Sequence, residues 1–469
     1  MIRFILNDKD ILTEQPPGMV LLDLIRYQQH LPGTKIGCRE GDCGACTVLI
    51  GEMEEGKLIY RSMTSCLLAL GNIHGKHVVT IEGINPAVSD QQQVPLNLVQ
   101  QAMADESATQ CGFCTPGFVM SFAGFCMSDS EPTMENAIAS VDGNICRCTG
   151  YKSIERAGRR LVEELKECRE DRLTFSCNKG IVPPYFKSIP SRLQSIADNM
   201  IIHSSVHPPF LGGGTDLYVQ RHDEMTHAEI SFQYDHPGMR AIKKEGNRCV
   251  MGGSVTVTDM MESIIITDAI PSFHKYTKLI SSTPIRNMAT LAGNFVNASP
   301  IGDFTIIFLA LDATLLISDG VNERPIQLRN FYKGYKEINK KPEEYVKGVS
   351  FELPSKRDLF HFEKVSKRTH LDIASVNTAI SLSMDGDRII EAGLSAGGVG
   401  PIPLYLGHAS AFLKGKTRSQ EVVLEMIELV HEEIKPISDT RGSKEYKRLL
   451  LEQLIKAHFI CLKNDNLGS

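Results

Sequence analysis

One short stretch constrains this chain more than any other. Cys38, Cys43 and Cys46 are separated by four and then two residues, and Cys66 follows after nineteen more. This is the spacing with which four thiolates hold a 2Fe-2S cluster. Gly37, Gly41 and Gly44 alternate with those cysteines, and glycine reaches backbone conformations that let a loop curl round a bulky anion with its amides towards sulfur. Four buried or disulfide-bonded thiols are the competing reading. Three cysteines and three glycines in one tight loop serve no packing purpose, however, so the stretch points to single-electron chemistry.

With 469 residues the chain has room for roughly three or four domains, each with its own core. A content of 42% hydrophobic and 23% charged residues is that of a soluble globular protein. The net charge of -6, with no basic run, argues against nucleic acid as a partner. Acidic residues interrupt the first fifteen positions where a signal peptide needs an apolar core. The longest apolar run, Phe304 to Ile317, is broken by Asp312 and is too short to cross a bilayer, so no membrane is expected. Thirteen cysteines then suggest thiolate ligands in a reducing compartment, the cytoplasm.

Residues 2–6 and 11–13 read as a hairpin turned at Asn7-Asp8, and Pro16-Pro17-Gly18 breaks the chain. Apolar residues within Leu21 to His30 predict a short helix. Residues 47–50 and 57–61 predict a second hairpin turned at Gly51 to Gly56, and 78–81 a closing strand, with Gly83 to Pro86 ending the domain. A mixed sheet with one helix is a β-grasp arrangement. From Pro95 the spacing of Leu96, Val99, Ala102 and Met103 turns helical.

A second quartet lies in that helical region: Cys111 and Cys114 in C-G-F-C-T-P-G, and Cys146 and Cys148 in C-R-C-T-G. Each pair precedes an apolar-periodic segment, with Thr115 and Pro116 at the first predicted helix start and Thr149 and Gly150 at the second. Two helix starts would turn positive dipole ends to one anionic centre. On spacing alone the four thiolates suit zinc or a second iron–sulfur cluster; the upstream loop favours the cluster.

The eight cysteines with Thr115-Pro116-Gly117 and Thr149-Gly150-Tyr151 resemble the two cluster domains of molybdenum-containing hydroxylases, the family of xanthine dehydrogenase, aldehyde oxidase and carbon monoxide dehydrogenase. The resemblance covers about the first 165 residues. It implies two 2Fe-2S clusters, a ferredoxin-like one outward and a helical-domain one nearer molybdenum. Residues 166–190 show no period and read as a surface linker. Cys126, Cys168, Cys177, Cys249 and Cys461 lack partners at ligand spacing and read as ordinary thiols.

The next constellation runs from Pro208 to Leu217, where Phe210 and Leu211 lead into Gly212, Gly213, Gly214, Thr215 and Asp216. Bare glycines let amides approach phosphate oxygens, though a tight turn needs the same residues. No G-x-G-x-x-G occurs, so a Rossmann fold is not supported. With the stretch from Thr290 to Asp303, this order resembles the FAD domain of the same family. The resemblance places a flavin's pyrophosphate and ribose against Phe210 to Leu217, with Thr290, Leu291, Ala292, Gly293 and Asn294 as a second lip. It adds Ile280, Asp303 and Lys364 as flavin contacts. Read on their own residues, Asp303 is a helix N-cap and Lys364 a solvated strand lysine. Strand-like segments from Asp358 and a helix over 419–435 resemble the family's C-terminal flavoprotein domain.

The expected organisation is therefore multidomain α+β. A ferredoxin-like β-grasp domain covers 1–84 and a helical 2Fe-2S domain 85–165, followed by the linker at 166–190. A non-Rossmann α+β FAD-binding domain covers 191–357 and a C-terminal α+β flavoprotein domain 358–469. No catalytic residue set stands out. Fusion of clusters and flavin in one chain resembles the small subunit of bacterial xanthine dehydrogenase. That resemblance implies a large molybdopterin-binding partner, two copies of each subunit, hypoxanthine or xanthine oxidised to urate, and NAD as acceptor. The alternatives are the same subunit in an aldehyde or N-heterocycle dehydrogenase, a free-standing NADH-dependent reductase, and a non-enzymatic cluster scaffold.

Overall fold

The computed structural model describes residues 1–85, 95–197, 207–368 and 371–464. Pro86, expected to close the first domain, lies outside them. The chain forms two compact bodies: Met1–Ser205 with Gly213–Phe232 and Ser282–Met288, and Val206–Gly212 with Gln233–Ser281 and Ala289–Ser469.

In the first body, β1 (Ile2–Leu6) and β2 (Lys9–Thr13) form the expected antiparallel hairpin, with Asn7 at a φ of 53° in its turn. Strands β3 (Thr47–Glu54) and β4 (Lys57–Thr64) form the second hairpin, and β5 (His77–Val79) closes the sheet in the order β2-β1-β5-β3-β4. β5 runs parallel to β1 and antiparallel to β3, giving the mixed sheet of a β-grasp. Two details differ from expectation. Gly51 belongs to β3 and not to the turn: a Cβ there would lie 2.6 Å from the Tyr60 ring paired opposite, so the glycine makes room for an aromatic. Ile81 starts a 3-10 turn, Ile81–Ile84, after the strand has ended. The predicted first helix is a single turn, Leu21–Asp23, that widens into a π-helical segment, Leu24–Gln28, where the Gln29 amide donates to the Leu24 carbonyl at 2.9 Å.

Helices then follow. Leu98–Asp105 opens with Asn97 and Gln100 capping each other's amides. Thr115–Met127 is buried from Gly117 onward, and Lys152–Lys166 buries Ile154, Ala157, Leu161 and Leu165 at helical spacing. The segment 166–190 corrects the linker expectation. It contains a helix, Arg172–Asn178, capped by Asp171, and a 3-10 turn, Pro184–Ser188. Its few apolar residues, Phe175, Ile181, Val182 and Phe186, are buried in the helical core. They are too sparse to show a period, yet each completes a core built by other segments.

In the second body, β6 (Ile242–Glu245), β7 (Arg248–Gly252), β8 (Thr314–Ser318), β9 (Glu323–Gln327) and β10 (Tyr345–Glu352) make a sheet ordered β9-β8-β10-β7-β6. Every pairing in it is antiparallel, which a dinucleotide fold of parallel strands excludes. A second antiparallel sheet follows in chain order: β11 (Leu359–Val365), β12 (Val376–Asp385), β13 (Arg388–Gly397) and β14 (Leu404–Tyr405). The helix Asp303–Ala310 packs on β13: Ser395 Oγ donates to the Ile306 carbonyl at 2.7 Å, and a Cβ on Gly393 would meet the Ala310 carbonyl at 2.1 Å. The apolar run from Phe304 is thus a buried helix and then β8, with Asp312 at a φ of 49° between them. The expected helix over 419–435 is Gln420–Glu433, capped by Ser419, and a further helix, Lys444–Asn464, ends the described chain. No helix among the described residues is long and apolar enough to cross a membrane.

Candidate cluster and flavin sites

The first quartet is built by a loop that three positive-φ residues bend: Arg39 at 59°, Gly41 at 80° and Gly44 at 67°. Gly37 must be bare because a Cβ would stand 2.5 Å from Cys43 Sγ. The loop turns amides onto its sulfurs. Glu40 N–H donates to Cys38 Sγ at 3.3 Å and Cys38 N–H to Cys43 Sγ at 3.4 Å. The Cys43 thiol, with the amides of Glu40, Asp42 and Cys43, lowers the Cys38 thiol from 9.0 to about 5. Sharing with Cys66, helped by Ser65, lowers Cys46 as well, while Cys43 and Cys66 are pushed up as the partners that keep their protons. Such donors favour thiolate, the form that binds metal. Cys46 and Cys66 are each 2% exposed, whereas Cys38 and Cys43 are half-buried.

The second quartet is set at two helix starts, though not as expected. Cys114 itself holds the N-cap position of Thr115–Met127 without a side-chain cap, and Thr115 Oγ1 shares a 2.7 Å hydrogen bond with Thr109. Tyr151, at a φ of 68°, precedes Lys152–Lys166. Thr149 does not cap that helix either; its hydroxyl donates to Cys146 Sγ at 3.2 Å. The Tyr151 hydroxyl accepts from the Cys146 amide at 3.2 Å. Burial pushes Cys146 up, but Thr149 and the neighbouring amides outweigh it and the thiol is lowered; burial raises Cys114 to about 12.

Both quartets hold their sulfurs as two pairs: Cys38 with Cys43, Cys46 with Cys66, Cys111 with Cys148 at 3.6 Å, and Cys114 with Cys146. No three of these sulfurs come within 4.8 Å of one another. A single zinc with Zn–S bonds of about 2.3 Å would draw all four to within about 3.8 Å. Two separated pairs fit a dinuclear centre with one pair per iron, so the geometry favours the cluster reading of the second quartet.

The quartets are joined by a contact that spacing does not announce. The Ile145 amide donates to the Cys43 carbonyl at 3.0 Å, and Cys146 is the next residue. Beside it, Asn144 Nδ2 donates to the Gly44 carbonyl at 3.0 Å while its Oδ1 accepts from Ser121 at 2.7 Å. Gly117 has no side chain because a Cβ would strike the Gly44 carbonyl at 2.2 Å. Further along, Arg286 Nη2 and the Thr283 amide both reach the Asp142 carboxylate, at 2.6 and 2.7 Å. Asn144, Asp142 and Arg286 carry no motif in the sequence. Only their polarity inside an otherwise packed region marks them.

The stretch assigned to flavin divides between the bodies. Gly213, Gly214, Thr215, Asp216 and Leu217 belong to the first, where Gly214 takes a φ of 81° against the Tyr218 ring. Phe210, Leu211 and Gly212 belong to the second, where the Phe210 ring packs 5.3 Å from that of Tyr345. The remaining assigned residues form one connected line in the second body. A Cβ on Gly212 would stand 2.7 Å from Thr290 Oγ1, so the bare glycine makes room for that hydroxyl. Thr290 caps the helix Leu291–Asn297 by accepting from the Gly293 amide. The amides of Leu291 and Ala292 donate to the carbonyls of Val255 and Gly253, so they hold the protein's own backbone. Asn294 Oδ1 accepts from the Thr305 amide and hydroxyl, and next to Gly302 comes Asp303. Gly302 takes the cap position, and Asp303 is the first helical residue. Its carboxylate instead accepts from Lys364 Nζ at 2.8 Å and Asn377 Nδ2 at 2.6 Å. Lys364 also donates to the Leu279 carbonyl, beside buried Ile280. Lys364 is therefore a buried ion-pair lysine and not a solvated one. The two charges neutralise each other, so this pair presents no net charge to a bound group.

Comparison with known proteins follows this architecture. The chain matches four families in succession: a 2Fe-2S iron-sulfur cluster binding domain over residues 4–70, a 2Fe-2S binding domain over 80–159, the FAD binding domain in molybdopterin dehydrogenase over 188–355, and the CO dehydrogenase flavoprotein C-terminal domain over 361–462. It is 28% identical to xanthine dehydrogenase of Emericella nidulans across 90% of this chain and 36% of that protein. It is 25% identical to the rat xanthine dehydrogenase/oxidase across 95% of this chain and 38% of that protein. The chain thus spans little more than a third of the length of the curated relatives it matches. Among solved structures, the Cu,Mo-CO dehydrogenase in its cyanide-inactivated form matches with a TM-score of 0.50 and 22% identity, over 53% of this chain and 87% of that chain. Quinoline 2-oxidoreductase from Pseudomonas putida 86 matches with a TM-score of 0.50 and 21% identity, over 55% and 89%. These last two likenesses are of fold.

Proposed function

We propose that this chain, homologous to the N-terminal region of xanthine dehydrogenases and carrying two 2Fe-2S domains, an FAD-binding domain and a flavoprotein C-terminal domain in their order, is the electron-transfer subunit of a xanthine dehydrogenase. Its partner is a large molybdopterin-binding chain that oxidises hypoxanthine and xanthine to urate, in a cytoplasmic assembly with two copies of each. When bound, the clusters carry single electrons and the flavin gathers them in pairs for NAD. The proposed order is the partner, the Cys111/Cys114/Cys146/Cys148 quartet, the Cys38/Cys43/Cys46/Cys66 quartet, and then the flavin domain.

The observation that carries this reading is the Cys43 carbonyl accepting the Ile145 amide, which joins the quartets through one hydrogen bond beside Cys146. Exposure supports the direction. Cys111 and Cys148 are exposed together with Phe113, Ile145 and Tyr151, the surface expected where a partner docks. The residues of this chain hold sulfur, aim amides at it and exclude water from Cys46 and Cys66.

The test is the chain purified with a molybdenum-loaded partner and supplied with xanthine and NAD. Urate and NADH in equal amounts are expected. No urate from a loaded complex removes the purine assignment, and oxidation of an aldehyde or N-heterocycle in its place would name the alternative substrate class. The flavin assignment is checked separately: Gly213→Val should lower flavin content and leave iron unchanged, and unaltered flavin would count against the glycine stretch as its cradle.

A further inference from the structure

Outside the quartets and the flavin line, one set of ligand atoms converges in the C-terminal part of the second body. His361 and Glu363 are two apart on β11 and face the same side of the sheet; His458 and Cys461 are three apart on Lys444–Asn464 and share one helix face. The two faces meet. Ligand atoms of His361, Glu363 and Cys461 lie within 4.8 Å of one another, the one such trio among the described residues. His361 Nε2 is 3.6 Å from Glu363 Oε1, and all three residues are half-buried, so solvent reaches them.

A chain of hydrogen bonds orients the imidazole. The Thr378 hydroxyl donates to the Ser395 carbonyl at 2.7 Å, which leaves its oxygen to accept from His458 Nε2 at 3.4 Å. His458 is wholly buried and carries one proton, and because the Thr378 hydroxyl already donates to Ser395 that proton is on Nε2. Its Nδ1 must then accept, and the partner at 2.7 Å is His361 Nδ1, which donates. The other nitrogen of His361, Nε2, faces the Glu363 carboxylate at 3.6 Å and lies near the Cys461 thiol, and it becomes a ligand once any proton on it has left to solvent. A metal-bound histidine donates its other N–H to an outer partner in the same way.

We propose that His361 Nε2, Glu363 and Cys461 bind a divalent cation of the zinc class, with His458 and Thr378 orienting His361 and solvent in the fourth position. One nitrogen, one oxygen and one sulfur donor suit a borderline cation better than a hard one. On binding, the Cys461 thiol proton leaves to solvent, and the cation ties the last helix to β11.

The test uses the cluster- and flavin-loaded chain with zinc chloride as the probe. After equilibrium dialysis the wild type should retain one more zinc than Cys461→Ser or Glu363→Gln, with iron and flavin equal in all three. The zinc K-edge spectrum, in which iron does not interfere, should show one sulfur at about 2.3 Å and nitrogen or oxygen at about 2.0–2.1 Å. In the wild type, saturating zinc should slow alkylation of Cys461 by at least about tenfold, because a coordinated thiolate is withheld from the reagent. Equal zinc in wild type and both variants, a shell of several sulfurs, or an unchanged alkylation rate would each overturn the site and leave a histidine–glutamate contact only.

Discussion

The two cysteine quartets use the same ligands, arranged in the same two pairs, in opposite surroundings. Cys46 and Cys66 are sealed against the β-grasp sheet, and the loop above them is held by three positive-φ residues. Cys111 and Cys148 stand at the surface, each followed within two residues by a glycine of positive φ (Gly112 and Gly150) whose added Cβ would touch nothing. Ligand chemistry therefore does not distinguish the sites; access does. A buried centre is protected from solvent, while an exposed one can exchange electrons with a second protein at the cost of being vulnerable when that protein is absent.

Removing a ligand gives the largest effect. Cys43→Ser should lose roughly half the iron and cut xanthine-dependent NADH formation by more than about 100-fold, beyond what outer-shell changes cost. Wild-type turnover in that variant would refute the serial arrangement. Next comes access itself. With the isolated chain, a ferrous chelator should strip the second quartet at least about tenfold faster than the first, read by the separate spin-resonance signals of the two centres. Equal rates would erase the contrast, and addition of the partner should abolish it.

The junction between the quartets is the third target. Gly44→Ala combines a φ of 67° with a Cβ 2.4 Å from the Gly143 carbonyl, and should cost about 2–4 kcal/mol of stability. Asn144→Ala, which removes one of the Gly44 carbonyl's donors (the Thr47 amide and hydroxyl remain) and leaves Ser121 without its acceptor, should cost about 1–3 kcal/mol. Melting temperature with the iron retained checks both; an unchanged value would mean that the domains do not depend on this seam. The smallest effect is expected from Thr149→Val. Losing the hydroxyl that donates to Cys146 should make the second centre about 60 mV harder to reduce, about 1.4 kcal/mol for one electron. A shift at the first centre instead would reassign the signals.

Spacing alone proposes the eight cysteines as ligands because metal ligation by a tight loop is a local property. The loop must place sulfurs a few ångströms apart, and only a few intervals allow it. The residues proposed to line a flavin come only from the resemblance. Gly212, Thr290, Asp303 and Lys364 lie up to 152 residues apart in sequence, and nothing local requires a lysine on β11 to find a carboxylate at the start of a distant helix. Residues 166–190 went unread for the same reason: Phe175 and Phe186 are buried by cores they did not build.

By itself, then, the sequence determined the two sulfur quartets, the order of sheet, helices and flavin-type segments, and the absence of a Rossmann fingerprint. These are set by intervals and local backbone needs. The tertiary structure alone decided that Ser282–Met288, embedded in the flavin segment, packs with the cluster body through Arg286 and Asp142. It also decided that Asn144 seals the seam between quartets, and that His361, Glu363 and Cys461 converge. Each of these depends on which distant surfaces are buried together, and burial is a property of the whole fold and not of any window of sequence.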